Sequence, residues 1–281
     1  MSSNKYKIDI LHEGKMKVDG GVTFSGLPRS EWEQYIKPDQ NNRIHIGLNQ
    51  LLIRSNDHII LIDTGLGSKL SKLKKKFMGL EEHADIAKNL KNLNLDFSDI
   101  TRIIFTHLHY DHAGGATIFN AETDEVTTPF SNARFIIQKK EWEAACNPDD
   151  ISRSSYSLSD YLPLSQTNRL ILINGDFEVA PGIFVEVTGG HTAAHQMVKI
   201  EDKSQTVIFC GDICPTRWHL NPENREAFDL YPCETLQARK RLADYAIKQK
   251  ARLVFPHDPE PCFCKIEGNL DNPLVKVENE T

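Results

Sequence analysis

The sequence predicts an α/β protein whose mixed sheets are covered by helices. Short apolar runs typical of buried strands alternate with helical periodicities. Many of the strands fall in adjacent pairs rather than in strict strand–helix–strand units, and no Pro-, Gly- or Ser-rich linker divides the chain. Of the 281 residues 40% are apolar and 26% charged, which suits a folded unit with a sizeable core and excludes disordered, collagen-like and coiled-coil chains. One domain over residues 1–281 is expected, with a lid-like segment at 20–47 and an inserted loop region at 146–168.

Tyr6 to Val18 alternates weakly and reads as a strand. Gly20, Gly21, Gly26 and Pro28 predict a flexible stretch next, which carries Phe24, Trp32 and Tyr35. Asn49 to Arg54 and His58 to Ile62 form a hairpin-like pair about Ser55-Asn56-Asp57, and the second run ends in Asp63-Thr64-Gly65. Ile86, Leu90 and Leu93 lie on one face of a helix. Arg102 to Phe105 is a buried strand feeding the loop Thr106 to Gly115. Arg134 to Gln138 is the next strand and leads into a helix near Lys140. Leu170 to Ile173, Ile183 to Val187, Met197 to Ile200 and Thr206 to Cys210 read as strands. Leu236, Leu242, Ala243, Ala246 and Ile247 fit a helix, and Leu253 to Phe255 a last strand before Pro256-His257-Asp258.

Lys and Arg number 33 against 39 Asp and Glu, a formal charge of −6, and an acidic chain argues against a nucleic-acid binder. Lys72, Lys74, Lys75 and Lys76 read as a solvated helix face. No apolar run approaches the ~18 residues of a membrane span, and Met1 to Gly14 lacks the apolar core of a secretory signal. A cytoplasmic protein with reduced thiols is therefore expected. Cys262 with Cys264, and Cys210 with Cys214, lack the spacing of a zinc knuckle.

The chemistry concentrates in THLHYDHAGG. His107 and His109 stand two apart at the end of an extended run, so their rings point the same way. A turn then lets Asp111 and His112 address a second position, with Gly114 and Gly115 permitting the tight backbone that follows. Imidazole and carboxylate suit zinc and other borderline divalent metals. His191, Asp212 and His257 each follow an apolar run, where loops from a sheet converge on a site. Five His and two Asp suffice for two ions sharing one carboxylate. His195 is expected to make a structural hydrogen bond, while His12, His45, His58 and His83 read as surface residues.

HLHYDH resembles the HxHxDH signature of the metallo-β-lactamase-fold hydrolases, and LIDTG, GGHT, GD and HD match that family's other motifs in its order, from about residue 44 to 260. The resemblance implies an αββα sandwich of two mixed sheets flanked by helices, with two divalent ions at one sheet edge. Zinc is the expected metal, and manganese, iron or cobalt would suit the same donors. By the same resemblance His107, His109 and His191 hold one ion, Asp111, His112 and His257 hold the other, and Asp212 bridges them. Asp63 matches an aspartate that orients a histidine ligand.

Asp212 stands where true β-lactamases of this fold have a cysteine, and His109 where the flavodiiron oxidoreductases have a glutamate. GGVTFSGLPRSEW, GLNQLLIRS, IDTGLGSK and GDICPTRWHL look like the acyl-homoserine-lactone lactonases and their relatives, which act in quorum quenching. Those lactonases carry a tyrosine where this chain has Pro215. His219 or Tyr231 is expected in its place, and His219 joins Asp111 and Asp212 as a candidate catalytic residue. Phe24, Trp32 and Tyr35 would form a lid over an acyl chain, or else pack or meet a partner. The expected reaction is hydrolysis of a small-molecule ester, foremost a lactone, by a hydroxide bridging two ions that draw the pKa of bound water to ~7. Phosphodiester, phosphotriester or thioester hydrolysis would use the same metal core. A di-iron oxidoreductase and a non-catalytic metal-binding module are the readings from other classes. A homodimer is the expected oligomer on frequency alone.

Overall fold

Two sheets face one another across a shared apolar layer in the computed structural model, which describes residues 6–203, 205–269 and 272–278. The first contains β1 (Lys7–Asp19), β2 (Arg43–Arg54), β3 (Ile59–Ile62), β4 (Arg102–Ile104), β5 (Arg134–Gln138) and β6 (Leu170–Ile173), adjacent in chain order. β1 to β3 run antiparallel, whereas β3 to β6 pair in parallel. The second contains β7 (Phe177–Ala180), β8 (Ile183–Val187), β9 (Gln196–Asp202), β10 (Gln205–Phe209), β11 (Arg252–Val254), β12 (Phe263–Asn269) and β13 (Asn272–Glu278), again in chain order. Only β10 and β11 are parallel within it.

Parallel neighbours need a crossover, usually a helix. α1 (Ile86–Asn92) joins β3 to β4, α2 (Lys139–Cys146) joins β5 to β6, and α3 (Pro232–Gln249) joins β10 to β11. The β4–β5 crossover is different. It contains the histidine-rich loop, a one-turn helix Tyr110–Ala113 and a short hairpin of Ile118–Asn120 with Glu125–Thr127.

Ile53, Ile62 and Ile104 from the first sheet meet Val198, Val207 and Phe209 from the second. On the outer faces Leu61 and Ile103 pack with Ile86 and Leu90, while Ile208 and Leu253 pack with Leu242 and Ala246. Central strands are thus buried on both sides, which is why they read as continuous apolar runs rather than alternating ones.

Several expectations change. β2 begins at Arg43, six residues before the expected hairpin arm, because β1 pairs with it as far as Asp19↔Arg43. β7 and the hairpin β12–β13 carried too little pattern to be read, with Phe177 on β7 and Val277 on β13 left exposed. The stretch expected to be flexible after Gly20 is held instead. Asp19 caps the turn Gly20–Thr23 by accepting from the amides of Gly21 and Val22, and a second turn spans Arg29–Trp32. Phe24 and Trp32 are 0% and 1% exposed and stack at 5.9 Å, so they are packing residues rather than a lid face. His12 and His83 are half-buried, not surface, hydrogen-bonding Asn49 and Glu13.

Among the described residues no helix is long and apolar enough to cross a membrane. Phe209, 0% exposed between the sheets, tests the shared layer. Phe209→Ala should cost about 3–5 kcal/mol of stability in urea unfolding; a loss below about 1 kcal/mol would contradict the packing described.

Candidate metal centre

Seven side chains converge where the ends of both sheets meet. His107 and His109 follow β4, Asp111 and His112 lie in the one-turn helix after it, His191 follows β8, Asp212 follows β10 and His257 follows β11. Potential ligand atoms of His107, His109 and His191 lie within 4.8 Å of one another, as do those of His107, His112 and Asp212, and those of Asp111, His112 and His257.

Asp212 stands between the groups. Its Oδ2 is 3.3 Å from His112 Nε2, 3.4 Å from His191 Nε2 and 3.8 Å from His107 Nε2. Its Oδ1 is 3.3 Å from His257 Nε2, which is 3.7 Å from Asp111 Oδ2. Burial alone would raise the Asp212 carboxyl, but His112, His257 and His191 hold it well below the usual carboxylate range.

The far sides of the rings fix their orientation. His112 Nδ1–H donates to Asp63 Oδ2 at 2.9 Å, and His257 Nδ1–H to the Gly47 carbonyl at 2.9 Å. The Thr106 hydroxyl donates to Asp63 Oδ2 at 2.8 Å and so receives His107 Nδ1–H at 3.0 Å. His191 Nδ1–H donates to Asp229 Oδ1 at 3.2 Å. With protons placed outward, lone pairs face inward. His112 and His257 oppose their Nε2 atoms at 3.2 Å, and His191 Nε2 lies 3.2 Å from His109 Nδ1. Bare lone pairs at that separation repel unless a cation lies among them. Buried His107 Nε2 and Asp212 Oδ1 also have no hydrogen-bond partner among the described residues. Nitrogen and carboxylate donors, converging and otherwise unpaired, fit divalent metal ions.

The backbone is adapted to this convergence. Asp63 has φ 59°, a conformation uncommon outside glycine, and accepts from the Thr106 amide at 2.8 Å as well as from the Thr106 hydroxyl. His195 makes the structural bond expected of it. Its Nε2 accepts from the Asp212 amide at 2.9 Å while its Nδ1 bonds Thr188 at 2.7 Å. Gly211 has φ +57°, and a Cβ there would lie 2.4 Å from His195 Nε2. Gly115 is needed for space rather than for a left-handed turn, since a Cβ would lie 2.1 Å from the Thr64 carbonyl.

His219 is placed otherwise than expected. Its Nε2 bonds the Thr23 carbonyl at 2.9 Å, its Nδ1 bonds Thr216 at 2.7 Å and its ring stacks on Phe24 at 5.1 Å. Burial pushes its pKa down to about 3. With both nitrogens engaged and no exposed surface, it anchors the 20–24 turn and offers the site no catalytic group. Tyr231 is 43% exposed and lies outside the cavity lining. Pro215 contributes its carbonyl, which receives the His257 amide at 2.8 Å.

Sequence reasoning passed over Asp229, Glu226, Arg239 and Glu141. Arg239, buried in α3, donates to the carbonyls of Ile213 and Asn224 and lies 3.7 Å from Asp229 Oδ2. Glu141 receives the Leu108 amide at 3.0 Å, the Thr192 hydroxyl at 2.6 Å and the Tyr156 hydroxyl at 3.1 Å, tying both metal-facing loops to the 146–168 region. Solitary acids give no sequence signal. A cavity of about 560 Å³ opens over the centre, lined by His109, Asp111, His191, Asp212, His257 and an apolar wall including Met16, Ile46 and Met78. Asp229→Ala should weaken metal binding by roughly 10–100-fold, because His191 loses the partner that fixes its ring. Chelator competition on the reconstituted protein measures this, and unchanged affinity would count against the role.

Residues 47–257 match the family model described as the metallo-beta-lactamase superfamily. An N-acyl homoserine lactonase of Bacillus cereus is 30% identical over 246 residues, covering 83% of this chain and 89% of its own. A probable metal-dependent hydrolase from Staphylococcus aureus has a similar structure, with TM-score 0.88, 30% identity and full coverage of both chains. An N-acyl homoserine lactone hydrolase with N-hexanoyl-L-homoserine at its catalytic metal centre aligns with TM-score 0.69 and 25% identity, over 92% of this chain and 94% of its own. With the αββα layering and the histidine–aspartate centre already in place, this chain belongs to the metallo-beta-lactamase superfamily.

Proposed function

We propose that this metal-dependent hydrolase opens the ring of an N-acyl lactone at a dinuclear centre. His107, His109 and His191 would hold one ion, Asp111, His112 and His257 the second, and Asp212 would lie between them. Five imidazoles and two carboxylates suit zinc. Such ions supply Lewis acidity and make hydroxide available at neutral pH, so no nucleophilic side chain is required. The observation that carries the reading is Asp212 encircled by four inward-facing imidazoles at the floor of a cavity with an apolar wall.

The chain's own groups divide the work. Met16, Val18, Ile46 and Met78 offer an apolar surface to an acyl chain, and the cavity volume suits a small amphiphile. Phe77, 82% exposed, extends that surface at the mouth. Asp63 and Asp229 hold the rings of His112 and His191 so that their free lone pairs stay aimed inward. Both oxygens of Asp212 are enclosed by imidazoles, whereas Asp111 lines the cavity with a side-chain exposure of 13%. Asp111 is therefore the carboxylate placed to return a proton to the leaving alkoxide oxygen. The Bacillus cereus lactonase and the N-acyl homoserine lactone hydrolase named above act on such lactones, which supports this substrate class over phosphoesters and thioesters.

Proton release on adding N-hexanoyl homoserine lactone to zinc-reconstituted protein is the test, with His109→Ala as control. The native chain should release protons rapidly. The variant should slow by more than about 100-fold and bind less metal, since it forfeits Lewis-acid stabilisation worth several kcal/mol. No release from a fully metallated protein would sink the lactone assignment and bring phosphoesters and thioesters forward.

A further inference from the structure

One acid in the cavity wall is used by nothing described so far. Glu226 lies on the segment between β10 and α3, its side chain 8% exposed, and it lines the cavity over the metal centre. Its Oε2 is 4.0 Å from His191 Nδ1, too far for a hydrogen bond, and that Nδ1 is already held by Asp229 at 3.2 Å. Among the described residues no hydrogen bond reaches the Glu226 carboxyl. The other charged residues of the lining outside the metal-donor set are engaged elsewhere. Asp19 caps the Gly20–Thr23 turn, Arg43 pairs with Asp39 at 3.1 Å, and Lys17 lies 3.7 Å from Glu81. The carboxyl thus faces the cavity with no bond inside the fold, and an acid retained beside apolar lining residues points to a partner that arrives with the ligand.

We infer that Glu226 is a substrate-binding residue that accepts a hydrogen bond from an N–H group beside the scissile ester. This rests on the N-acyl lactone reading and names the residue that recognises the amide next to the ring. A carboxyl keeps an acceptor oxygen whether protonated or not. Its place beside His191 puts that oxygen one side chain away from the metal-facing nitrogens, where the first polar group outside a bound ring would lie. Val22 and Phe228 line the cavity with it and favour an apolar chain beyond that group. A site built to hydrogen-bond a substrate N–H discriminates against the analogue that lacks it, because the buried acceptor is then left unpaired.

The experiment compares two lactones of similar length, N-hexanoyl homoserine lactone and γ-decalactone, which has no amide. Wild type, Glu226→Met and Glu226→Gln are each assayed with metal content measured alongside. Wild type should prefer the amide-bearing lactone. Glu226→Met should lose about 10- to 100-fold in kcat/KM on it, chiefly through KM, and lose nothing on γ-decalactone. Glu226→Gln, which keeps the shape and one acceptor oxygen, should fall between, so a poorly folded Met variant does not decide the matter. Metal content should stay that of wild type in both variants. Equal losses on the two lactones, or a fall in metal content, would mean that Glu226 acts through His191 and would overturn the inference, as would no change on either. A wild type inert on both lactones overturns the lactone reading and this inference with it. Activity on both with no change in selectivity overturns the inference alone.

Discussion

The repulsion among inward-facing lone pairs around the Asp212 carboxylate is the constraint on which the remainder of the site depends. Four imidazole nitrogens approach that carboxylate to between 3.3 and 3.8 Å. Two pairs of ring nitrogens oppose each other at 3.2 Å. In water these groups would separate. The rings of His107, His112, His191 and His257 are held because each is anchored from behind, by the Thr106 hydroxyl, Asp63, Asp229 and the Gly47 carbonyl. A proton on each outer nitrogen leaves the inner one deprotonated, with its lone pair free to bind metal.

The same anchoring links the centre to the fold. Asp63 follows β3, His107 and His109 follow β4, and Asp63 joins the two by accepting from the Thr106 amide and hydroxyl. On the other sheet, His195 receives the Asp212 amide, and Arg239 reaches from α3 toward Asp229. His257 ties the sheets together, since its amide meets Pro215 and its ring meets Gly47 of β2. A crossing of this kind needs a rigid apolar layer beneath it, and Ile62, Ile104, Phe209 and Val254 supply that layer directly under the donor-bearing loops.

Above the centre the wall is divided by chemistry. Aliphatic and sulfur-bearing side chains of β1 and β2 form one side, while Glu226 and Phe228 from the segment before α3 form part of the other. The aromatic cluster of Phe24, Trp32 and His219 lies behind that wall, with Phe24 and His219 stacked at 5.1 Å. It sets where the 20–24 turn sits without presenting a polar atom to a ligand. Under the proposed function, specificity would fall to the walls and reactivity to the floor.

The convergence of these seven side chains was legible in part because four of them are local: His107, His109, Asp111 and His112 share six residues, and His191, Asp212 and His257 each follow an apolar run. The doubly buried strands were legible for the same reason, as continuous apolar runs such as Ile59–Ile62. β7 and the hairpin β12–β13 were not, because they give no clear alternating or apolar run. Nor could the sequence show that His219 spends both nitrogens on Thr23 and Thr216, the first of them 196 residues away. The sequence by itself determined which residue types gather and the layered fold that gathers them. Only the tertiary structure decided which nitrogen of each ring faces inward, that Asp229 and not a neighbouring acid holds His191, and that Glu226 is left without a partner in the wall. Those outcomes are set by hydrogen bonds between residues distant in the chain, and a linear pattern carries no record of which partner a buried polar atom will find.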